Sequence, residues 1–403
     1  MPRKTTNTEE DQTVRQINTI MLELLKIFPR YEFENLEKQY KGNYYTKYFT
    51  GWQQLIVLMF SQICGKDSLR EIETSLNMHY KRWYHIGFRG VKRSTLSDAM
   101  NSRPHQIFEG VFYKLLAKCK SVTPNHKFKF TNPLYTLDST VIDLCLSIFP
   151  WASFRKRKGA IKLHYLYDHS GSIPSFMTMT DGKHHDIRVA RSDEKLQFAL
   201  LPDSIISVDK AYIDYKWLYS LNKRGVYFVT RVKDNLNYQV TGQHKPINNR
   251  SIARDDVVRL DGPYTKQKYP DELRVVGYVD QEDGKYYEYF TNNFDLASMT
   301  IADIYKSRWQ IELFFKWIKQ NLKIKSFLGT TPNAVLSQIW VAMCYYLLLT
   351  YIKYQTKFAH SITELSRMIK EVLMERTNLL DILSLNVSTI KRIRDPVPQL
   401  SIF

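Results

Sequence analysis

The sequence predicts an α/β fold in which a mixed sheet is interrupted by a β-rich insertion and flanked by helical regions. From Leu134 the apolar period changes from helical to strand-like, and the elements then run in the order β-β-β-α-β-α-β. Residues 234 to 299 or so, rich in Asn, Asp, Gly and Tyr, separate that series from an amphipathic helix at Tyr305 to Lys319. Helical periodicity dominates the two ends. The expected boundaries are 1–125 for a helical N-terminal region, 126–332 for the interrupted α/β core and 333–403 for a helical C-terminal region.

In the N-terminal region, VRQINTIMLELLKIF opens residues 14–50 at helical spacing, and the stretch ends basic and aromatic in YKGNYYTKYFT. WQQLIVLMFSQICGKDSLREIETSL, residues 52–76, is a helical pair broken at Gly65, with Asp67 or Ser68 placed to cap the second helix. In FRGVKRSTLSDAMNSRP, Arg89, Lys92 and Arg93 precede a short helix beginning near Ser94 or Thr95. Cations and hydroxyls at a helix start suit phosphate contacts and groove entry, a better account than a solvated basic loop.

In the core, LYTLDSTVIDL, KLHYLYDHSG and PSFMTMTDG read as a three-stranded meander punctuated by Ser-Gly and Asp-Gly. HHDIRVARSDEKLQFALL is helical, with Asp186 placed to cap it and His184 and His185 read as structural. SIISVDKAY is a buried strand, YKWLYSLNKRG a helix capped by Asp214 and closed by Gly225, and VYFVTRVK another strand. LRVVGYVD and KYYEYFTNN read as part of an inserted β-subdomain. Ala334 to Ile352 is apolar enough to suggest a membrane span, but its Ser, Gln, Thr and Tyr residues favour a buried core helix.

Composition narrows the partners. Fifty-eight Lys and Arg stand against forty Asp and Glu, and the net charge of +18 favours a polyanion such as nucleic acid or anionic lipid. Cys64, Cys119, Cys145 and Cys344 are scattered without metal-ligand spacing, which reads as buried thiols of a reducing cytoplasm and argues against zinc. The polar start MPRKTTNTEEDQ lacks the apolar segment of a signal peptide, so a cytoplasmic location with no membrane partner is expected.

Tyr305, Arg308, Glu312 and Lys319 fall on one stripe about 60° wide when YKSRWQIELFFKWIK is wound as a helix. Beside the stripe, Ile304, Ile311, Phe315, Ile318 and Leu322 form an apolar face. Metal-dependent phosphoryl transfer needs carboxylates converging from different elements, since Mg²⁺ prefers hard oxygen ligands and two ions about 3.5 to 4 Å apart serve nucleophile and leaving group. Asp138 in the first core strand, Asp209 at the end of SIISV and Glu312 on the stripe are the candidates. Asp143 lies an odd number of residues from Asp138 and so faces the other side of the strand. Arg308 and Lys319 suit phosphate clamping, and Tyr305 can donate to a phosphate oxygen or stack on a base. Taken singly, each acid also fits a capping or ion-paired role, and the stripe also fits a solvated helix face.

The Y-(2)-R-(3)-E-(6)-K spacing, preceded by LDST and VDKAY, resembles the DDE transposases of bacterial insertion sequences, in the branch named for that signature, the insertion sequence four type. The resemblance runs through RSTLSDAMNSR and FPWASFRKRKGAIKLHYLYDHSG and covers most of residues 50–350. It implies a ribonuclease-H-like core, a DNA-binding N-terminal region and Asp138, Asp209 and Glu312 as a triad holding two Mg²⁺ ions, with Mn²⁺ as a substitute. It further implies binding of double-stranded DNA at the terminal inverted repeats, cleavage of both ends and joining to target DNA by a homodimer in a paired-end complex. The branch is associated with a hairpin route in which an aromatic residue of the insertion, often Trp, holds a flipped nucleotide. The insertion here contains no Trp, and Tyr287 is the substitute. Arg155, Lys156, Arg157 and Lys158 follow the first core strand, where backbone contacts to DNA or a solubilising loop are both open. A nuclease on the same core without strand joining, or a non-catalytic DNA-binding repressor, are the alternatives.

Overall fold

The computed structural model describes residues 18–44, 46–155, 158–182, 185–233, 236–244 and 249–384, with backbone alone for 153–155 and 158. Among the described residues seven α-helices precede the sheet: α1 (Ile20–Ile27), α2 (Arg30–Gln39), α3 (Gly51–Cys64), α4 (Leu69–Met78), α5 (Tyr80–Trp83), α6 (Arg93–Ser102) and α7 (Gln106–Lys120). Thr50 and Gln53 close a capping box on α3, and Gly65 ends it at φ +72°, a left-handed conformation open to glycine. Ser68, not Asp67, caps α4 through the Glu71 N–H.

Ten strands form one sheet: β1 (Leu134–Leu144), β2 (Ser153–Arg155), β3 (Lys158–Asp168), β4 (Ile173–Asp181), β5 (Ile205–Val208), β6 (Tyr227–Arg231), β7 (Tyr238–Gln243), β8 (Ile252–Leu260), β9 (Leu273–Val279) and β10 (Tyr286–Thr291). The order is β2-β3-β1-β5-β6-β10-β9-β8-β7, and β4 lies beside β2 on the outer edge of β3. β1, β3 and β4 are the antiparallel meander, whereas β5 and β6 run parallel to β1 through crossovers containing α8 (Asp186–Ser192), α9 (Glu194–Ala199) and α10 (Tyr215–Lys223). Asp214 caps α10 through the Trp217 N–H. Asp186 is not a cap: it is the first residue of α8, behind His185, and its carboxylate turns to the sheet. His184 lies outside the described residues.

The inserted β-subdomain is continuous with the core sheet. β10 pairs with β6 through Tyr289 to Thr291, and β9, β8 and β7 follow outward, so the insertion, with its helix α11 (Pro263–Lys268), prolongs the core sheet. Without it β6 would present an unpaired edge of N–H and C=O groups. Arg274 and Asp255, at 0% and 1% side-chain exposure, pair at 2.7 Å within this part. Arg274 also donates to the Asn293 and Leu296 carbonyls, tying β9 to the segment that leads into the next helix.

That segment enters α12 (Ser298–Ser307), then α13 (Trp309–Asn321), α14 (Pro332–Gln355), α15 (Ile362–Val372) and α16 (Leu379–Ser384). The helix expected from Tyr305 to Lys319 is therefore broken at Arg308. There the bonds shorten to three-residue steps, Arg308 N–H to Tyr305 O at 3.0 Å and Ile311 N–H to Arg308 O at 3.1 Å, a tight turn between two α segments. Apolar residues of α12 meet one face of the sheet, where Ile301 and Ile304 join Leu134, Ile205 and Val229. The other face packs Leu137, Ile206, Val208 and Phe228 against Trp217 and Leu218 of α10.

α14 is apolar all round, the pattern of a helix surrounded by protein. It packs on α3, α6, α7 and α15, and it is the one helix among the described residues long and apolar enough to cross a membrane. Cys119 and Cys344 are buried, whereas Cys64 is half-buried and Cys145 exposed, so the reading of four buried thiols holds for two.

Candidate active site

The strand register brings the first two acids together. β1 and β5 run parallel with Leu137 beside Val208, and the next residue on each chain is Asp138 or Asp209. Parallel neighbours are about 4.8 Å apart, so the carboxylates leave adjacent strands side by side. Asp143 is exposed farther along β1.

The broken helix supplies the third acid and the groups that join all three. Arg308 Nη1 donates to Asp138 Oδ2 at 2.8 Å, and its Nη2 donates to Glu312 Oε1 at 2.5 Å. Tyr305 OH donates to Asp209 Oδ1 at 3.5 Å, a long hydrogen bond. Three acids from β1, the end of β5 and α13 thus converge on two donors at the α12–α13 turn. Lys319 stands apart: it is two turns beyond Glu312, and burial lowers its pKa, with Lys325 adding to that effect and Asp143 opposing it.

Electrostatics mark Asp138. Burial raises its pKa to about 6, the Asp209 and Asp186 charges push the same way, and the Ser139 N–H and Arg308 oppose them. Burial likewise lifts the Tyr305 phenol to about 12, so it stays a hydrogen-bond donor at neutral pH. Burial works against the Arg308 charge, but Asp138, Tyr305 and Glu312 outweigh it and raise the pKa.

The donor set is all oxygen, the chemistry preferred by a hard divalent cation, and a carboxyl with an elevated pKa gains most from a cation beside it. The residues therefore fit such an ion. Among the described residues no three of His, Cys, Asp and Glu stand close enough to share one, and the Arg308 guanidinium bonds both Asp138 and Glu312.

An aromatic ladder leads away from Tyr305. Its ring is 5.0 Å from that of Tyr289, which lies near-parallel to Tyr287 at 6.5 Å, and the Arg231 guanidinium sits 4.6 Å from the Tyr287 centroid. Tyr287 lines a cleft of about 330 Å³ with Lys210, Arg231, Lys233, Tyr286 and Glu288. Arg231 and Asp186 were not singled out as functional groups by sequence. For Arg231 the available signal was its place at the end of a strand parallel to the one that delivers Asp209.

The basic N-terminal residues lie elsewhere in the molecule. Arg89, Lys92 and Arg93 are exposed, α6 starts at Arg93, and Arg89 and Lys92 line a cleft of about 830 Å³ with Lys47 and Tyr48. Lys156 and Arg157 lie outside the described residues, as do the side chains of Arg155 and Lys158 at the turn of the β2–β3 hairpin.

A three-stranded meander continued by two parallel strands, with acids on adjacent strand ends and on a later helix, is a ribonuclease-H-like architecture. Residues 130–348 match the family model described as Transposase DDE domain, and residues 16–89 match one described as Domain of unknown function, DUF4372. A protein of Geobacillus stearothermophilus named as a probable transposase for insertion sequence element IS5377 is 32% identical over 270 residues, 66% of this chain and 68% of its own. The Sinorhizobium fredii protein named transposase y4zB is 31% identical over 70% of this chain and 78% of its own. A Synechocystis protein named for insertion sequence element IS4SA is 26% identical over 70% and 77%. The chain belongs to the DDE transposases of bacterial insertion sequences, enzymes that act on DNA with a divalent metal.

Proposed function

We propose that this transposase binds the terminal inverted repeats of its own insertion sequence, cleaves the ends by two-metal-ion phosphoryl transfer and joins them to target DNA. The observation that carries the reading is the convergence of Asp138, Asp209 and Glu312 on Arg308 and Tyr305. Asp138, Asp209 and Glu312 are the residues that would hold two Mg²⁺ ions, with Mn²⁺ able to substitute. When bound, such ions supply activation of the attacking oxygen and charge stabilisation at the leaving oxygen.

The chain's own residues orient the substrate. Arg308 carries a planar fork suited to a phosphate, and a DNA end entering the site offers it an anion in place of the carboxylates it bridges. Tyr305 donates its phenolic proton to Asp209 or to a phosphate oxygen. Lys319, two turns along α13 from Glu312, would take a neighbouring phosphate. Tyr287 offers its ring to an unstacked base, which would have to displace or sandwich Arg231. Arg89, Lys92 and Arg93 contact the DNA away from the acids, and Arg155, Lys156, Arg157 and Lys158 are a further candidate set of backbone contacts. The working unit is a homodimer on paired ends, in the bacterial cytoplasm at the nucleoid.

The test is purified protein with Mg²⁺ and DNA bearing the element ends. The native protein should cut the ends and produce strand-transfer products, whereas Asp138→Ala and Glu312→Ala should bind ends and leave them intact. Cutting without joined products would convert the reading to a nuclease. Normal cutting by either variant would remove the proposed site.

A further inference from the structure

Behind Asp138, on the opposite face of β1, lies a second carboxylate that the reaction as described does not use. Ser139 Oγ donates to Asp186 Oδ1 at 2.8 Å. The same oxygen lies 3.1 Å from Lys162 Nζ and 3.5 Å from Nδ1 of the fully buried His164. The β1–β3 ladder pairs Ser139 with His164 and Val141 with Lys162, which puts all three polar groups on one face. Asp186 begins α8, yet the capping position belongs to His185, so its carboxylate serves the sheet and not the helix. Tyr212, buried beside this group, feels the charges of both Asp186 and Asp138.

One residue connects the two faces. The Ser139 N–H donates to Asp138 Oδ1 at 2.8 Å, while the Ser139 hydroxyl is held by Asp186. β5 ends at Val208 beside Leu137, so from Asp138 onward β1 has no strand on that side to fix its backbone. The β3 ladder holds the other side of β1 as far as Leu144, and the Ser139 side chain adds a bond to Asp186, with Lys162 beside it. A ligand held by a hydrogen-bonded neighbour keeps its orientation, and loss of such outer partners typically costs about 10–100-fold in metal affinity or activity.

We propose that Asp186 is a positioning residue for Asp138: it anchors the Ser139 side chain so that the Ser139 N–H stays aimed at the Asp138 carboxylate. The proposal rests on the reading of Asp138 as a reacting carboxylate. Lys162 completes the device by setting its ammonium 3.1 Å from the same Asp186 oxygen.

The experiment measures single-turnover cleavage of end DNA at saturating full-length protein, together with end-DNA Kd and calorimetric Mn²⁺ affinity without DNA. Asp186→Ala and Ser139→Ala should each lower cleavage and Mn²⁺ affinity by about 10–100-fold, with Kd for DNA moved by no more than about twofold. Ser139→Thr, which keeps the hydroxyl, should recover most of the rate. The double variant should be no slower than the slower single, because both changes break one connection. Native rates in Asp186→Ala and Ser139→Ala, or losses that multiply in the double variant, would overturn the proposal. Should Asp186→Ala fail to fold, Ser139→Ala against Ser139→Thr decides. If Asp138→Ala cuts normally the underlying site is wrong; if Asp138→Ala is inactive while Asp186→Ala cuts at the native rate, only the positioning role fails.

Discussion

Keeping Asp138 ionised should cost the metal-free protein stability, and Asp138→Asn measures how much. Burial raises the Asp138 pKa from 3.8 to about 6, and this net value includes the opposing help of Ser139 and Arg308. At about 1.36 kcal/mol per unit, the charged form is about 3 kcal/mol less favourable in the fold than in the unfolded chain. The sign follows from proton counting. Between pH 3.8 and about 6 the folded protein binds more protons at this residue than the unfolded chain, so stability falls as pH rises through that window and levels off above it. Asn mimics the neutral carboxyl in size and carries no such cost. With about 2.1 cal/mol/K per residue of unfolding entropy, 3 kcal/mol corresponds to about 4 °C for a chain of this length. Scanning calorimetry in EDTA should therefore show Asp138→Asn melting about 4 °C above native at pH 7.5, with the gap closing towards pH 4. A variant that melts below native at pH 7.5, or a gap that does not change with pH, would refute the reasoning.

Arg308→Ala should weaken end-DNA binding and cleavage but bind Mn²⁺ at least as tightly as native, since the guanidinium that spans Asp138 and Glu312 is gone; a calorimetric loss as large as that of Glu312→Ala would contradict this. Tyr287→Ala should slow turnover of ends with an unpaired terminal nucleotide by about 5–150-fold, the equivalent of about 1–3 kcal/mol of stacking, with Tyr287→Phe near native; equal rates in gel assays would remove the stacking role. Arg274→Met should destabilise the fold by about 3–5 kcal/mol in urea denaturation, because Asp255 is left buried without its partner; a shift below about 1 kcal/mol would mean that water reaches the pair.

Much of this protein is legible in one dimension because local periodicity and side-chain chemistry are local properties. The order of strands and helices apart from β2, the cap at Asp214 and the buried character of Ala334 to Ile352 follow from spacing and residue type, and residue type offers Asp138, Asp209 and Glu312 as candidates. Pairing between distant segments is not a local property. The run of insertion strands reads the same whether it folds apart or joins the sheet, and only the three-residue pairing of β10 with β6 decides that it joins. A helical wheel likewise assumes an unbroken helix. The turn at Arg308 divides it, with α12 on an apolar floor and Arg308 in contact with Asp138 of β1. The sequence could name the acids and the cations beside them, but register in the sheet placed Asp138 next to Asp209. Tertiary packing then made Arg308 their bridge to Glu312 and set Asp186 behind Ser139, because free energy there depends on which charges are buried together and not on their order along the chain.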